Sequence, residues 1–184
     1  MLEPPAVDTG ILLDNLDAHY GICATALDFL PLGVDVNAAV YRVATDGGAP
    51  YFLKLRRGAF APIAVTLPSY LHGQGIRQVI QPVPTRDGRY HAAIGEFTAI
   101  LYPFVEGRSG GDVQLSVQQW AEFGRALRRV HSTVLPPALR NQLVELAATP
   151  VARERRTQAY LQGFVQAEWD KWGAAIRAGG AIPK

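Results

Sequence analysis

Among the side chains able to do chemistry, Lys54 is singled out by its setting. The stretch Pro50-Tyr51-Phe52-Leu53-Lys54-Leu55-Arg56-Arg57 places an ammonium inside a run of residues that otherwise favours burial. A lysine on the third strand of a small sheet, preceded by a glycine-containing turn, can hold nucleotide phosphates as a positive point charge. On an edge strand the same lysine serves as a solvated guard against strand-to-strand aggregation. The preceding turn, Gly33-Val34-Asp35-Val36-Asn37, has one glycine where a full phosphate cradle has three. Its amides around Asp35, Val36 and Asn37 can donate to phosphate oxygens, and an ordinary hairpin turn explains the same letters. The remaining reactive residues offer less. Cys23 is the only cysteine, which excludes an internal disulfide, and its apolar setting reads as a small core residue. With four scattered histidines there is no zinc-ligand spacing, and His131 reads as the polar end of a helix.

The elements that must position Lys54 can be read on either side of it. Asp8-Thr9-Gly10 can cap a helix through Ile11, Leu12, Leu13, Leu16 and Tyr20, with Gly21 as its stop. Strands follow at about 22–30, 39–44 and 50–57, the last two joined by Thr45-Asp46-Gly47-Gly48, a turn able to take positive φ. Apolar spacing at Ile63, Leu67 and Leu71 predicts a helix, kinked or split by Pro68. Gln78 to Pro84 reads as a strand, Thr85 to Gly88 as a turn, Arg89 to Ala93 as the return, and Phe97 to Tyr102 as a fifth strand ending at Pro103.

Beyond Tyr102-Pro103-Phe104-Val105-Glu106-Gly107 the pattern becomes helical, as at a hinge between lobes. Ser116-Val117-Gln118-Gln119 is a capping box. It opens a helix through Trp120, Phe123, Gly124, Leu127, Val130 and His131, whose aromatics read as core contacts. A second helix, Ala138 to Ala148, carries Leu139, Leu143 and Leu146. Thr149 and Pro150 start a third, through Tyr160, Phe164, Val165, Trp169 and Ile176. The expectation is an α+β chain: an N-lobe over 1–106, built from a five-stranded antiparallel sheet plus helix, and helices of an incomplete C-lobe over 107–184.

Composition narrows the classes. The 184 residues are 48% hydrophobic and 18% charged, ordinary for a globular protein, and the net charge of +2 is spread rather than clustered, which argues against nucleic acid as the partner. No apolar run approaches the roughly 20 residues of a membrane span. A cytoplasmic protein is expected.

Several pieces, in order, carry a resemblance: His19-Tyr20-Gly21-Ile22, Gly33 to Ala38, Tyr51-Phe52-Leu53-Lys54-Leu55, Gln74-Gly75-Ile76-Arg77, Leu101 to Gly107, and Gln119-Trp120 with Gly124 to His131. The chain resembles the aminoglycoside phosphotransferase family, whose N-lobe is protein-kinase-like, and within it the spectinomycin-type branch. The resemblance implies transfer of the γ-phosphoryl group of ATP or GTP to a hydroxyl of an aminoglycoside or similar small molecule. It implies that Lys54 holds the α and β phosphates, that the turn with Gly33, Asp35 and Asn37 covers them, and that Ala39, Leu53 and Tyr102 line the slot for the base. The main chain at Pro103 and Val105 would then meet the adenine edge.

Two departures qualify this implication. The glutamate that pairs with the strand lysine in kinase-like lobes is replaced by Thr66, which leaves the nucleotide itself or another carboxylate, Asp35 or Glu96, as the partner of Lys54. The family's His-Gly-Asp catalytic loop and its later metal-binding aspartate have no counterpart, so Mg2+ and the proton acceptor belong to a complete enzyme only. The expectation is therefore the N-terminal part of a phosphotransferase, binding nucleotide without catalysis and ending as a fragment at Lys184. The alternatives are a non-catalytic nucleotide-binding or pairing module, meeting another chain through a face that includes Trp169 and Trp172, and a truncated product with uncovered apolar helix faces and no function of its own.

Overall fold

The computed structural model describes residues 3–32, 35–108, 110, 113–146, 155 and 157–167. The expected elements at Gly33, Thr149, Pro150, Trp169, Trp172 and Ile176 lie outside these. Helix α1 (Thr9–Tyr20) begins where the Asp8 carboxylate accepts from the amides of Gly10 and Ile11, and it ends at Gly21, which takes φ 70° and returns its amide to the carbonyls of Leu16 and Asp17. Strands β1 (Ala24–Leu30), β2 (Ala38–Thr45), β3 (Tyr51–Arg57), β4 (Ala92–Ile94) and β5 (Phe97–Pro103) form one five-stranded sheet in the order β1-β2-β3-β5-β4. Every pairing is antiparallel. Gly47, at φ 66°, turns β2 into β3, as the glycine pair predicted.

The sequence expectation fails at three places. Gln78 to Pro84 is not a strand: Pro82 and Pro84 have no N–H, and the segment touches the ladder through Val83 N–H to Leu101 C=O at 2.7 Å. The fourth strand is instead the returning segment, β4. Cys23 stands just before β1 and is exposed rather than in the core. Helix α2 (Ile63–Gly73) is not split at Pro68 but continues through it, with the Ser69 hydroxyl donating to the Val65 carbonyl and the Thr66 hydroxyl to that of Pro62.

One face of the sheet makes the core. Leu53 and Leu55 of β3, Ala39, Tyr41 and Val43 of β2, Ala99 and Leu101 of β5 and Ile94 of β4 pack with Leu12, Leu16 and Tyr20 of α1. The Tyr20 hydroxyl crosses to the Ala99 carbonyl at 3.0 Å. The turn at Thr85–Arg89 is tied to the same helix, its Arg86 amide donating to the His19 carbonyl and its guanidinium reaching Asp17. Within that turn Arg89 and the Thr85 hydroxyl hold the Asp87 carboxyl well below the usual carboxylate range.

Helix α3 (Val117–Ser132) starts on the predicted capping box, with Ser116 and Gln119 bonding reciprocally. Its Trp120 and Phe123 are exposed by 57% and 53%, so they are not core contacts among the described residues. Helices α4 (Pro137–Glu145) and α5 (158–167) follow. The chain groups into two compact units, Met1–Leu139 and Arg140–Lys184. The Tyr70 hydroxyl donates to the Val134 carbonyl and Arg129 lies against Gly75, so the end of α3 is held to the end of α2 within the first unit. Among the described residues no helix is long and apolar enough to cross a membrane.

Candidate nucleotide-binding site

The second face of the sheet carries Lys54. Side chains alternate along a strand, and residues paired across strands share a face. Lys54 is paired with Val40 on β2 and Ile100 on β5, so it belongs with Val40, Arg42, Phe52, Arg56, Thr98, Ile100 and Tyr102, away from the α1 core. Val40 and Ile100 are buried although they stand outside that core, as are Ile63, Val65 and Leu71 of α2. The lysine is therefore half-buried between two apolar neighbours, not on an edge: β3 is the central strand.

The face has a direction. At one end Tyr51 is paired with Pro103, and the aromatic rings of Phe52 and Tyr102 meet edge-on with centroids 6.4 Å apart. Burial pushes the Tyr102 hydroxyl above its ordinary pKa. Arg42 lies over the Phe104 ring at 5.3 Å and reaches Glu106 at 3.8 Å, which fastens the segment after β5 to β2. Phe104 N–H donates to the Pro50 carbonyl at 3.1 Å. The neighbouring Val105 is exposed, and its N–H has no partner among the described residues. At the other end β2 begins from the turn in which Asp35 accepts from Asn37 N–H at 3.0 Å and Asn37 C=O accepts from Arg57 N–H at 2.8 Å.

The site residues expected from sequence divide by this geometry. Lys54 and Tyr102 share the face, Pro103 and Val105 lie at the end where Tyr51 is paired, and Asp35 and Asn37 form the turn at the other end. Gly33 lies outside the described residues. Ala39 and Leu53 do not line the slot: they are paired with Leu55 and Tyr41 and buried in the α1 core. A strand repeats every two residues, so a choice one residue off places a side chain on the wrong face. Val40, Phe52 and Ile100 share the Lys54 face instead, and counting by twos from Lys54 along β3 would have found Phe52 and Arg56.

The expected carboxylate partners of Lys54 are engaged elsewhere. Glu96 is bonded to Arg57, and Asp35 caps its own turn. Thr66 turns its hydroxyl back onto α2. Among the described residues Lys54 makes no ion pair. The face thus sets an ammonium without an ion pair among the described residues between two buried apolar side chains, with the exposed main chain at Val105 beyond the Tyr102 end. It offers nothing comparable for a metal ion, since no group of three or more His, Cys, Asp or Glu side chains converges among the described residues.

A profile of the phosphotransferase enzyme family matches residues 28–180. The chain belongs to this family. Among solved structures, it is similar to spectinomycin phosphotransferase APH(9)-Ia in complex with ADP and spectinomycin, at 24% identity and a TM-score of 0.71, over 98% of this chain and 60% of that one. It is also similar to the AMP-bound complex of the same enzyme, at 23% identity and a TM-score of 0.66, over 93% of this chain and 55% of that one. No curated protein matches with significance. The family member thus shares the α+β fold of these phosphotransferases and spans 55% to 60% of their length.

Proposed function

We propose that this chain is the nucleotide-binding part of a small-molecule kinase: the Lys54 face takes the phosphates of ATP or GTP, and the complete activity transfers the γ-phosphoryl group to a hydroxyl of an aminoglycoside-like acceptor in the cytoplasm. The observation that carries the reading is Lys54 itself, half-buried between Val40 and Ile100 with no carboxylate partner among the described residues. The base lies between Val40, Ile100 and the Phe52–Tyr102 pair, with its edge toward the main chain at Pro103 and Val105. The turn at Asp35 and Asn37 covers the phosphates. The lobe boundary near 106/107 then falls at the hinge where the base is held.

Transfer itself needs Mg2+ to offset charge developing on the phosphoryl oxygens, and a carboxylate to take the acceptor proton. Neither the donor set among the described residues nor any His-Gly-Asp sequence in the chain fits those tasks, so no catalytic step is assigned to it. On its own, this chain binds nucleotide without turnover.

Titration calorimetry with ATP and GTP tests the reading. Lys54→Ala should weaken binding about 10- to 100-fold, the loss of one charge-assisted contact. Equal affinity in both proteins contradicts it.

A further inference from the structure

Arg56 is one of two arginines that share the Lys54 face, with Arg42, and its surroundings differ from those of the other arginines on the sheet. The strands carry four cations: Arg42, Lys54, Arg56 and Arg57. Arg57 points to the other face, bonded to Glu96 and lying over the Phe97 ring at 5.1 Å. Arg42 has Glu106 and the Phe104 ring. Arg56 has no ion pair among the described residues, and its Nε is buried without a hydrogen-bond acceptor. A guanidinium N–H withdrawn from water with nothing to bond is costly, so the fold itself does not answer this charge, and the partly exposed remainder of the side chain is open to an anion.

The register says where along the site this anion would lie. Arg56 is paired with Ala38, the first residue of β2 after the Asp35–Asn37 turn, and with Thr98 on β5. Both partners are small. Tyr51 at the hinge-side end, Lys54 and Arg56 therefore succeed one another toward the turn, with Arg56 roughly 6 to 7 Å beyond Lys54 along the strand. A nucleotide with its base at Tyr102 and Pro103 extends its phosphates in that direction. Lys54 meets them first.

We infer that Arg56 binds the terminal phosphate of a nucleoside triphosphate, so that this face distinguishes the triphosphate from the diphosphate. The inference rests on the nucleotide reading above and adds to it a residue that decides which nucleotide is held. The planar guanidinium can meet two oxygens of one phosphate at once, which an ammonium cannot.

The test measures ATP and ADP affinities of the full chain, of Arg56→Gln and Arg56→Lys, and of Arg57→Gln as a same-strand control on the opposite face, each checked for folding by thermal melting. The unsubstituted chain should prefer ATP. Arg56→Gln should lose about 10- to 100-fold in ATP affinity and less than about 3-fold in ADP affinity, Arg56→Lys should fall between, and Arg57→Gln should change neither. If Arg56→Gln melts early, Arg56→Lys carries the comparison. Equal losses for ATP and ADP, or no loss for either, overturn the role of Arg56 while the nucleotide reading stands. A chain that binds neither nucleotide removes the nucleotide reading, and this inference with it.

Discussion

Neighbouring residues of β3 live in opposite environments. Leu53 and Leu55 are fully buried against α1, whereas Lys54 and Arg56, one step along the same strand, are half-buried with no ion-pair partner among the described residues. A strand with period two lets one segment serve two purposes: its odd positions hold the sheet to α1, and its even positions carry charge on the opposite face, where the proposal places the nucleotide. Substitutions on the two faces should therefore separate stability from binding, and a substitution that moved both would break the comparison.

The largest effect is expected on the α1 face. Leu53→Ala leaves a cavity in a closely packed core and should cost about 2 to 5 kcal/mol of unfolding free energy, read by urea titration, while the folded fraction keeps its nucleotide affinity. On the other face Lys54→Ala should leave the urea midpoint nearly unchanged, and its effect should appear in the nucleotide titration.

A smaller effect is expected at the seam between α1 and β5. Burial pushes the Tyr20 hydroxyl far above its ordinary pKa of 10.0, and the group donates to the Ala99 carbonyl. The folded state then holds the proton more tightly than the unfolded state, so the contribution is complete below the unfolded value and is lost as pH rises through the folded one. Tyr20→Phe should cost about 1 kcal/mol at neutral pH and flatten the alkaline decline in stability measured between neutral pH and pH 11. The smallest effect belongs to the exposed Arg57–Glu96 pair: Glu96→Gln should cost at most about 1 kcal/mol, less at high salt, with nucleotide affinity unchanged.

How far the sequence reveals this arrangement depends on whether the determinant is local. The Asp8 cap, the Gly21 stop, the Gly47 turn and the Ser116 capping box are each written in a few adjacent residues, and each forms as read. The three strands around Lys54 are legible for the same reason. The facing of individual side chains is not, because an apolar run such as Val40-Tyr41 or Tyr51-Phe52-Leu53 reads the same from either side. Only the pairing with β5 and the packing of α1 assign Ala39 and Leu53 to the core and Val40 and Phe52 to the opposite face, with Lys54. Gln78 to Pro84 has the composition of a strand, yet two prolines without N–H groups leave it one ladder bond. Trp120, Phe123 and Leu127 have the spacing of a buried helix face and are exposed by 57%, 53% and 43%, because spacing defines a face and not what covers it.

The central claim is that the Lys54 amine lies where nucleotide phosphates lie, and affinity labelling tests it most directly. An ATP analogue bearing a reactive acyl group on its terminal phosphate transfers that group to a lysine held beside the phosphates, and mass spectrometry locates it. The chain has three lysines, Lys54, Lys171 and Lys184, so two serve as internal controls. The account predicts labelling of Lys54 that excess ATP suppresses, with the labelling of Lys171 and Lys184 unaffected by ATP. Lys54 left unlabelled, or labelled equally with and without competing ATP, would contradict it.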